Sequence, residues 1–342
     1  MPDLRIPLTI EKTPALLSRT GLFASLVDLT PQRGLIPYNV NVPLWSDGAT
    51  KQRWMAPGRS PIVFAPAGEW TFPAGTVFVK HFELRIDERR PNRKRRLETR
   101  LLVVDGTGND YGVTYKWRPD NREADLLHDS SREDIRIEKA NGRRQQTWYY
   151  PSPADCRTCH TAAAKFVLGV KTRQLNGRFT YPASGVTDNQ LRTWNYLELF
   201  DRPLDEHQIA GLAKLAALDD TRASLTDRVR SYLDANCANC RRPGNIIRAT
   251  FDVRFETPLL RQGLLDIPTV SDSLNLSDPR LIACGDPGRS MMAQRMKRAD
   301  KYRMPPLASA IPDRTALDVL ERWIKAEATL PAEGRKRRSG NR

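Results

Sequence analysis

The residues best suited to chemistry in this chain are Cys156-Arg157-Thr158-Cys159-His160. Two cysteines three positions apart, with a histidine directly after the second, form the attachment signature of a c-type haem. The thiols add to the haem vinyl groups as thioethers. The imidazole, locked beside the second thioether, coordinates the iron from the near side. A disulfide or half of a zinc site are the other readings of the same spacing.

Cys237-Ala238-Asn239-Cys240-Arg241 repeats this pattern and then breaks it. Arginine stays protonated and offers no lone pair, so Arg241 cannot replace imidazole on iron. A helical signal leads into Cys237, Met304-Pro305-Pro306 follows downstream, and an amphipathic helix closes the region. A small cytochrome c domain uses this order, with a methionine on a loop as the far-side ligand. A Met/His pair favours ferrous iron and raises the reduction potential. Three arrangements remain open for the second site: no haem, a five-coordinate haem held through Met304, or a nitrogen from elsewhere such as His207. Without haem, Cys237 and Cys240 could form a disulfide outside the cell. Cys284 would then be a lone thiol, buried and inert. At the first site the far-side ligand is open among His81, His128, His207, Met291, Met292 and Met296.

Several elements must position these residues. Residues 1–35 read as a lead-in with one helical signal at Ser18–Leu26. Residues 36–150 read as a β-rich domain, sandwich- or barrel-like, in which Pro and Gly punctuate short alternating runs. Asp105-Gly106 and Asn141-Gly142 mark tight turns. Trp45, Trp54, Trp70 and Trp117 are expected to pack its core or rim. The polar stretch Trp45–Ala49 with Lys51, Arg53 and Trp54 reads either as a binding cluster or as a buried, hydrogen-bonded loop. Residues 151–222 form the first haem segment, with helices capped by Asp188 (Leu191, Trp194, Leu197) and Asp205 (Ile209, Leu212, Leu215). Residues 223–330 form the cytochrome c-like segment. Its helices are expected from Ser224 or Thr226, at Ser290–Arg298, and after Asp313. Residues 331–342 read as a basic disordered tail. The fold class is therefore α+β, a β-rich domain followed by mainly α-helical cytochrome c-like segments.

The chain has 342 residues and a net charge of +15, with 55 basic against 40 acidic residues. Arg89, Arg90, Arg93, Lys94, Arg95 and Arg96 form one basic run, read as a solvated hairpin loop. Arg335, Lys336, Arg337, Arg338 and Arg342 form the other, in the tail. Neither has the interleaved aromatics of a single-strand binder, so no nucleic acid is expected. No apolar run is long enough to span a membrane. Met1–Arg5 shows no h-region, so no leader is visible, although haem c is attached outside the cytoplasmic membrane.

The chain resembles a bacterial diheme c-type cytochrome family in which a β-rich domain precedes two haem sites. The resemblance covers most of residues 15–327. It rests on 35–40 (LIPYNV), 44–49 (LWSDGA), 72–76 (FPAGT), 150–152 (YPS) and the first haem motif. It continues through 168–169 (LG), 173–176 (RQLN), 236–240 (NCANC) with 242–244 (RPG), 285–287 (GDP) with Ser290, 303–307 (RMPPL) and 323–324 (WI). The resemblance implies a periplasmic or otherwise exported electron carrier, with a quinoprotein sugar dehydrogenase as a plausible redox partner. Cys156, Cys159 and His160 match its first haem site, and Cys237, Cys240 and Met304 match its second. Arg241 departs from it, and the family's second histidine carries over to no residue.

One-electron transfer is the expected function. No Ser/His/Asp or paired-carboxylate constellation stands out, so hydrolysis is not expected. One rival is a haem enzyme with peroxidase-like chemistry at a five-coordinate second iron. The other is a zinc-stabilised basic nucleic-acid-binding protein using Cys156, Cys159, Cys237 and Cys240. Zinc modules usually space their halves by roughly 15–20 residues, and Cys159 and Cys237 stand much further apart.

Overall fold

Alternating runs between Pro and Gly pair, in sequence order, into an antiparallel sheet. The computed structural model describes residues 4–108, 110–245, 251–270, 272–306 and 309–326. The expected tail at 331–342 lies outside the described residues. A short hairpin of β1 (Phe23–Ser25) and β2 (Thr30–Pro31) comes first. Then β3 (Ile36–Pro37), β4 (Thr50–Ala56), β5 (Val77–Arg85), β6 (Lys94–Val103), β7 (Tyr111–Trp117) and β8 (Ala124–Leu127) form one six-stranded sheet in that order. A separate hairpin follows, β9 (Ser131–Lys139) and β10 (Gly142–Tyr150), turning at Asn141-Gly142.

The sheet is open, which corrects the barrel-like part of the expectation. Its edges, β3 and β8, are only 2 and 4 residues long and do not pair with each other. The β9–β10 hairpin supplies a second layer over part of one face. There Ile135, Ile137, Trp148 and Tyr150 pack on Phe82, Leu84 and Leu97.

The two faces of the sheet differ because side chains alternate along each strand. On one face Trp54, Val79, Leu101, Val113, Tyr115 and Trp117 pack with Leu17 and Leu22 of the lead-in. The helix expected at Ser18–Leu26 is instead a single 3-10 turn at Leu17–Thr20. Gly21 ends it in the left-handed region (φ 76) and β1 follows. The other face carries Met55, Phe78 and Leu102, which pack on Val167, Val170, Leu175, Leu191, Trp194 and Phe200 from beyond the sheet. Burying so many large apolar side chains dominates the stability of this half.

Those covering residues belong to α1 (Pro153–Cys159), α2 (Thr172–Leu175), the hairpin β11 (Arg178–Thr180) and β12 (Thr187–Asn189), α3 (Gln190–Tyr196), α4 (Glu206–Ile209) and the loops between them. The cap of α3 is Asn189, whose side chain accepts from Leu191 N, rather than Asp188. The helix capped by Asp205 stops at Ile209, ahead of Gly211, so Leu212 and Leu215 lie beyond it.

Met1–Asn41 and Gly48–Lys214 form one compact unit, and Val42–Asp47 with Leu215–Arg342 form another. In the second, α5 (Leu225–Asn236), α6 (Met291–Met296) and α7 (Arg314–Ala326) share a core of Val229, Leu233, Met296, Leu320, Trp323 and Ile324. Ser224 starts α5 by accepting from Asp227 N. Trp323 Nε1 ties α7 to α5 by donating to Thr226 Oγ1 at 2.8 Å. Among the described residues no helix is long and apolar enough to cross a membrane.

Candidate functional site

The first motif sits on a helix that its own residues define. Ser152 caps α1 by accepting from Asp155 N, Asp155 reaches back to Ser152 N, and Pro153 occupies the first turn. This reciprocal capping satisfies donors that a seven-residue helix would otherwise leave unpaired. Tyr149 at the end of β10 donates to the same Asp155 carboxylate at 2.7 Å. The helix thus starts at a fixed point on the β region and delivers Cys156, Cys159 and His160 one turn later.

Against the sheet, α1 rests on β7 at a glycine. A Cβ at Gly112 would stand 2.8 Å from Cys156 Cβ and 2.9 Å from its Sγ, closer than carbon and sulfur tolerate. Only glycine permits this approach.

His160 is the C-terminal cap of α1 and is partly buried. Its Nδ1 lies 2.5 Å from the carbonyl oxygen of Phe166. A carbonyl can only accept, so Nδ1 carries the proton and Nε2 keeps its lone pair. Lys165 (φ 49) and Phe166 (φ 58) are both left-handed, and this turn brings the carbonyl back onto the ring. Burial pushes the His160 pKa down to about 4. The Phe166 carbonyl opposes this, and the charges of Lys80 and Arg100 add to it. At neutral pH the ring is therefore neutral with the Nε2 lone pair free, the same tautomer that an orienting backbone contact imposes on metal-bound histidines.

Two of the thiols are held in the protonated form by burial. Burial raises Cys156 to about 11, against the charge of Arg100, and raises Cys237 to about 12, against Arg241. Both are therefore protonated at neutral pH, unlike a nucleophile or a metal thiolate. No disulfide joins any of the five cysteines, Cys237 and Cys240 included. Among the described residues no three His, Cys, Asp or Glu side chains converge to hold a metal ion. A zinc site needs that convergence. A haem set does not, because its sulfurs bond porphyrin-edge carbons and only the imidazole meets the metal.

Beside this motif lies a polar strip of which sequence pattern singles out only Arg53. Strand register places Arg53 opposite Lys80, Lys80 opposite Arg100, and Arg100 opposite Thr114. All four share the face that carries Gly112. Arg100 donates from Nε and Nη2 to the buried Glu98 carboxylate at 3.0 and 2.6 Å, and Trp148 Nε1 donates to it at 3.1 Å. Arg100 and Lys80 lie over the Phe82 ring at 4.6 and 5.2 Å. Burial, then the charges of Arg53, Lys51 and Arg100, hold Lys80 well below the ordinary lysine range, while Glu98 opposes them.

The far-side candidates have differing surroundings. His81 faces the opposite side of the sheet, where Nδ1 pairs with Thr99 Oγ1 at 2.8 Å and the ring meets Trp117 edge-on. It is a buried packing histidine, and the strand pleat keeps it from the α1 face. His128 and His207 are exposed. Met296 lies in the core of the second unit with Met292 packed against it, and Met291 is buried on α6.

In the second unit Cys237 caps the C-terminus of α5 and Cys240 lies in the turn after it. Arg241 stands where the histidine would, its guanidinium 5.3 Å over the Phe251 ring. Its backbone is pinned by Arg241 N donating to Cys237 O at 2.9 Å and Val253 N donating to Arg241 O at 3.0 Å. Arg241 itself offers no lone pair and so supplies no near-side nitrogen ligand. Met304 lines a small cleft with Trp45, Tyr232, Met296, Arg303 and Pro305. The stretch around Trp45 is a hydrogen-bonded loop of this unit rather than an open binding cluster. Trp45 N donates to Asn236 Oδ1 at 2.7 Å, Trp45 Nε1 donates to Ile311 O at 2.8 Å, and the Asp47 carboxylate accepts from Ala310 N and Ile311 N. Leu307, the last residue of the Arg303–Leu307 stretch, lies outside the described residues.

Compared with known proteins, the chain matches no family, no curated protein and no solved structure.

Proposed function

We propose that the chain is an exported c-type cytochrome that carries single electrons. Haem is attached at Cys156 and Cys159 and ligated by His160. The observation that carries this reading is the His160 ring itself. It follows a CxxC at the end of a capped helix, with Nδ1–H held by Phe166 O and Nε2 left as the ligand atom. A haem bound there would supply one-electron cycling of its iron. The chain's residues orient the imidazole, keep it neutral, and hold the two thiols at fixed points along α1.

The second unit keeps the order of a cytochrome c domain: a helix into CxxC, a Met-Pro-Pro loop and a terminal helix packed on the first. With arginine at 241 it lacks the near-side ligand, so one haem per chain is the reading. The periplasmic setting and a quinoprotein sugar dehydrogenase as electron donor follow from the resemblance to diheme cytochromes. The peroxidase-like reading needs a five-coordinate haem on Met304 and gains nothing from the Arg241 geometry.

Expression with an export leader and haem-maturation machinery, followed by a pyridine haemochrome spectrum and a haem-to-protein ratio, tests this. A ratio near one is expected. A ratio near two would show that position 241 does not exclude the second haem. No covalent haem at all would end the cytochrome reading.

A further inference from the structure

We propose that Arg53, Lys80, Arg100 and Thr114 form a carboxylate-binding row on the sheet face beside His160. The row runs straight across four strands, one residue per strand, in direct cross-strand register. Every member ends in a hydrogen-bond donor. Three cations face one buried carboxylate, Glu98, which is already held by both Arg100 and Trp148. Arg53 donates from Nη1 to Asn39 Oδ1 at 2.9 Å, a neutral partner that leaves its charge unbalanced.

Two donors in the row have no protein acceptor. Among the described residues Lys80 Nζ makes no hydrogen bond or ion pair, and its cation lies over the Phe82 ring. Thr114 is fully buried and its Oγ1 has no hydrogen-bond partner among the described residues. A buried hydroxyl without a partner costs stability, as do like charges directly opposite on neighbouring strands. A carboxylate lying along the row would relieve both at once, accepting charge-assisted bonds from Lys80 and from the Thr114 hydroxyl. The apolar parts of the same face are already covered, Phe78 and Leu102 on one side and Phe82 and Leu97 on the other.

Carboxylates of two origins suit the row: those carried by a haem attached at Cys156 and Cys159, or a small free carboxylate. Lys80 and Arg100 act electrostatically on the His160 ring, and Gly112 under Cys156 lies two residues from Thr114 on the same face. The haem origin rests on the function proposed above, whereas the row itself does not.

The haem-free full chain is titrated with succinate by calorimetry, and the haem-loaded chain is titrated likewise and its midpoint potential measured. Both are repeated for Lys80→Gln, Thr114→Val and an exposed control, Lys139→Gln. Melting curves verify folding, and Lys80→Gln is expected to melt no lower than wild type because it removes a repulsive charge. The haem-free chain should bind succinate, and Lys80→Gln or Thr114→Val should weaken that binding roughly tenfold. If haem carboxylates fill the row, the loaded chain no longer binds succinate and both substitutions shift its potential, Lys80→Gln to more negative values. If a free carboxylate fills it, the loaded chain binds succinate as the haem-free chain does. Absence of succinate binding, with a potential that Thr114→Val leaves unmoved, overturns the row as a binding site, even where Lys80→Gln shifts the potential through space. Should no covalent haem form, the haem reading fails and the succinate titration still decides the row.

Discussion

A single missing methyl group at residue 112 lets the first CxxC lie on the sheet. The Cβ of an alanine there would stand 2.8 Å from Cys156 Cβ, in contact with a helix start that the Ser152–Asp155 box and Tyr149 already hold. Gly112→Ala should therefore cost about 1–3 kcal/mol, as overpacking does, and should lower the haem-to-protein ratio by displacing Cys156. A melting curve and a haemochrome assay matching wild type would refute this. The proposed haem residues Cys156, Cys159 and His160 and the arginine at 241 can be read directly in the sequence, because a candidate ligand is recognised by its type and local spacing. Gly112 and Thr114 cannot, because their importance depends on the pairing of β6 with β7, which brings together residues distant in the chain.

The strands and helices of the site are placed by their ends. The Asp105-Gly106 turn expected between β6 and β7 is a longer loop, in which Asp105 N donates to Asp110 Oδ1 at 3.0 Å and Gly106 is left-handed (φ 81). Burial raises Asp110 to about 6, with the backbone contact from Asp105 opposing it and the Asp105 side chain adding to it. The folded chain therefore binds this proton more tightly than the unfolded chain does. The unfavourable effect is absent at acid pH, develops as pH rises from the ordinary carboxylate range through about 6, and is complete above that. Asp110→Asn keeps the acceptor oxygen and removes the charge. It should raise stability at neutral pH by about 1 kcal/mol, the shift being discounted for partial solvation, and leave stability at acid pH unchanged. Melting temperatures across that pH range check it; an equal gain at acid pH would contradict the assignment. The basic run at 89–96 shows the same dependence on ends. Arg90 Nε donates to the buried Asp87 at 2.7 Å, so the run is anchored as well as solvated, and its last residues enter β6.

At the scale of the whole chain, the net charge of +15 sets how it would meet a partner. A cation-rich electron carrier exchanging with an acidic acceptor should be steered by long-range attraction. Its second-order rate should fall steeply as salt shortens the screening length from about 10 Å at 0.1 M. Stopped-flow reduction of an acidic acceptor protein across an ionic-strength series reads this directly. A rate that does not change with salt would remove charge steering from the proposed function.

Much of the architecture follows from local pattern. The α+β class, the strands β5, β6 and β7 at the centre of the sheet, the β9–β10 turn at Asn141-Gly142, and the helices after Ser224 and Asp313 all follow from short-range pattern and capping, whereas β3, β4 and β8 do not. Side-chain period and cap chemistry act within one turn or one strand pair. The open sheet, the transfer of residues 42–47 to the second unit, the banishing of His81 to the far face and the row of donors beside His160 do not. Each is settled by which strand pairs with which and in what register, since a shift of one residue would send every side chain to the other face. The motif at Cys156–His160 is legible from the sequence by itself, and the chemistry proposed for it starts there. The orientation of its imidazole comes from the local turn that brings the Phe166 carbonyl onto the ring, whereas its cationic neighbours Lys80 and Arg100 come from other parts of the chain through folding.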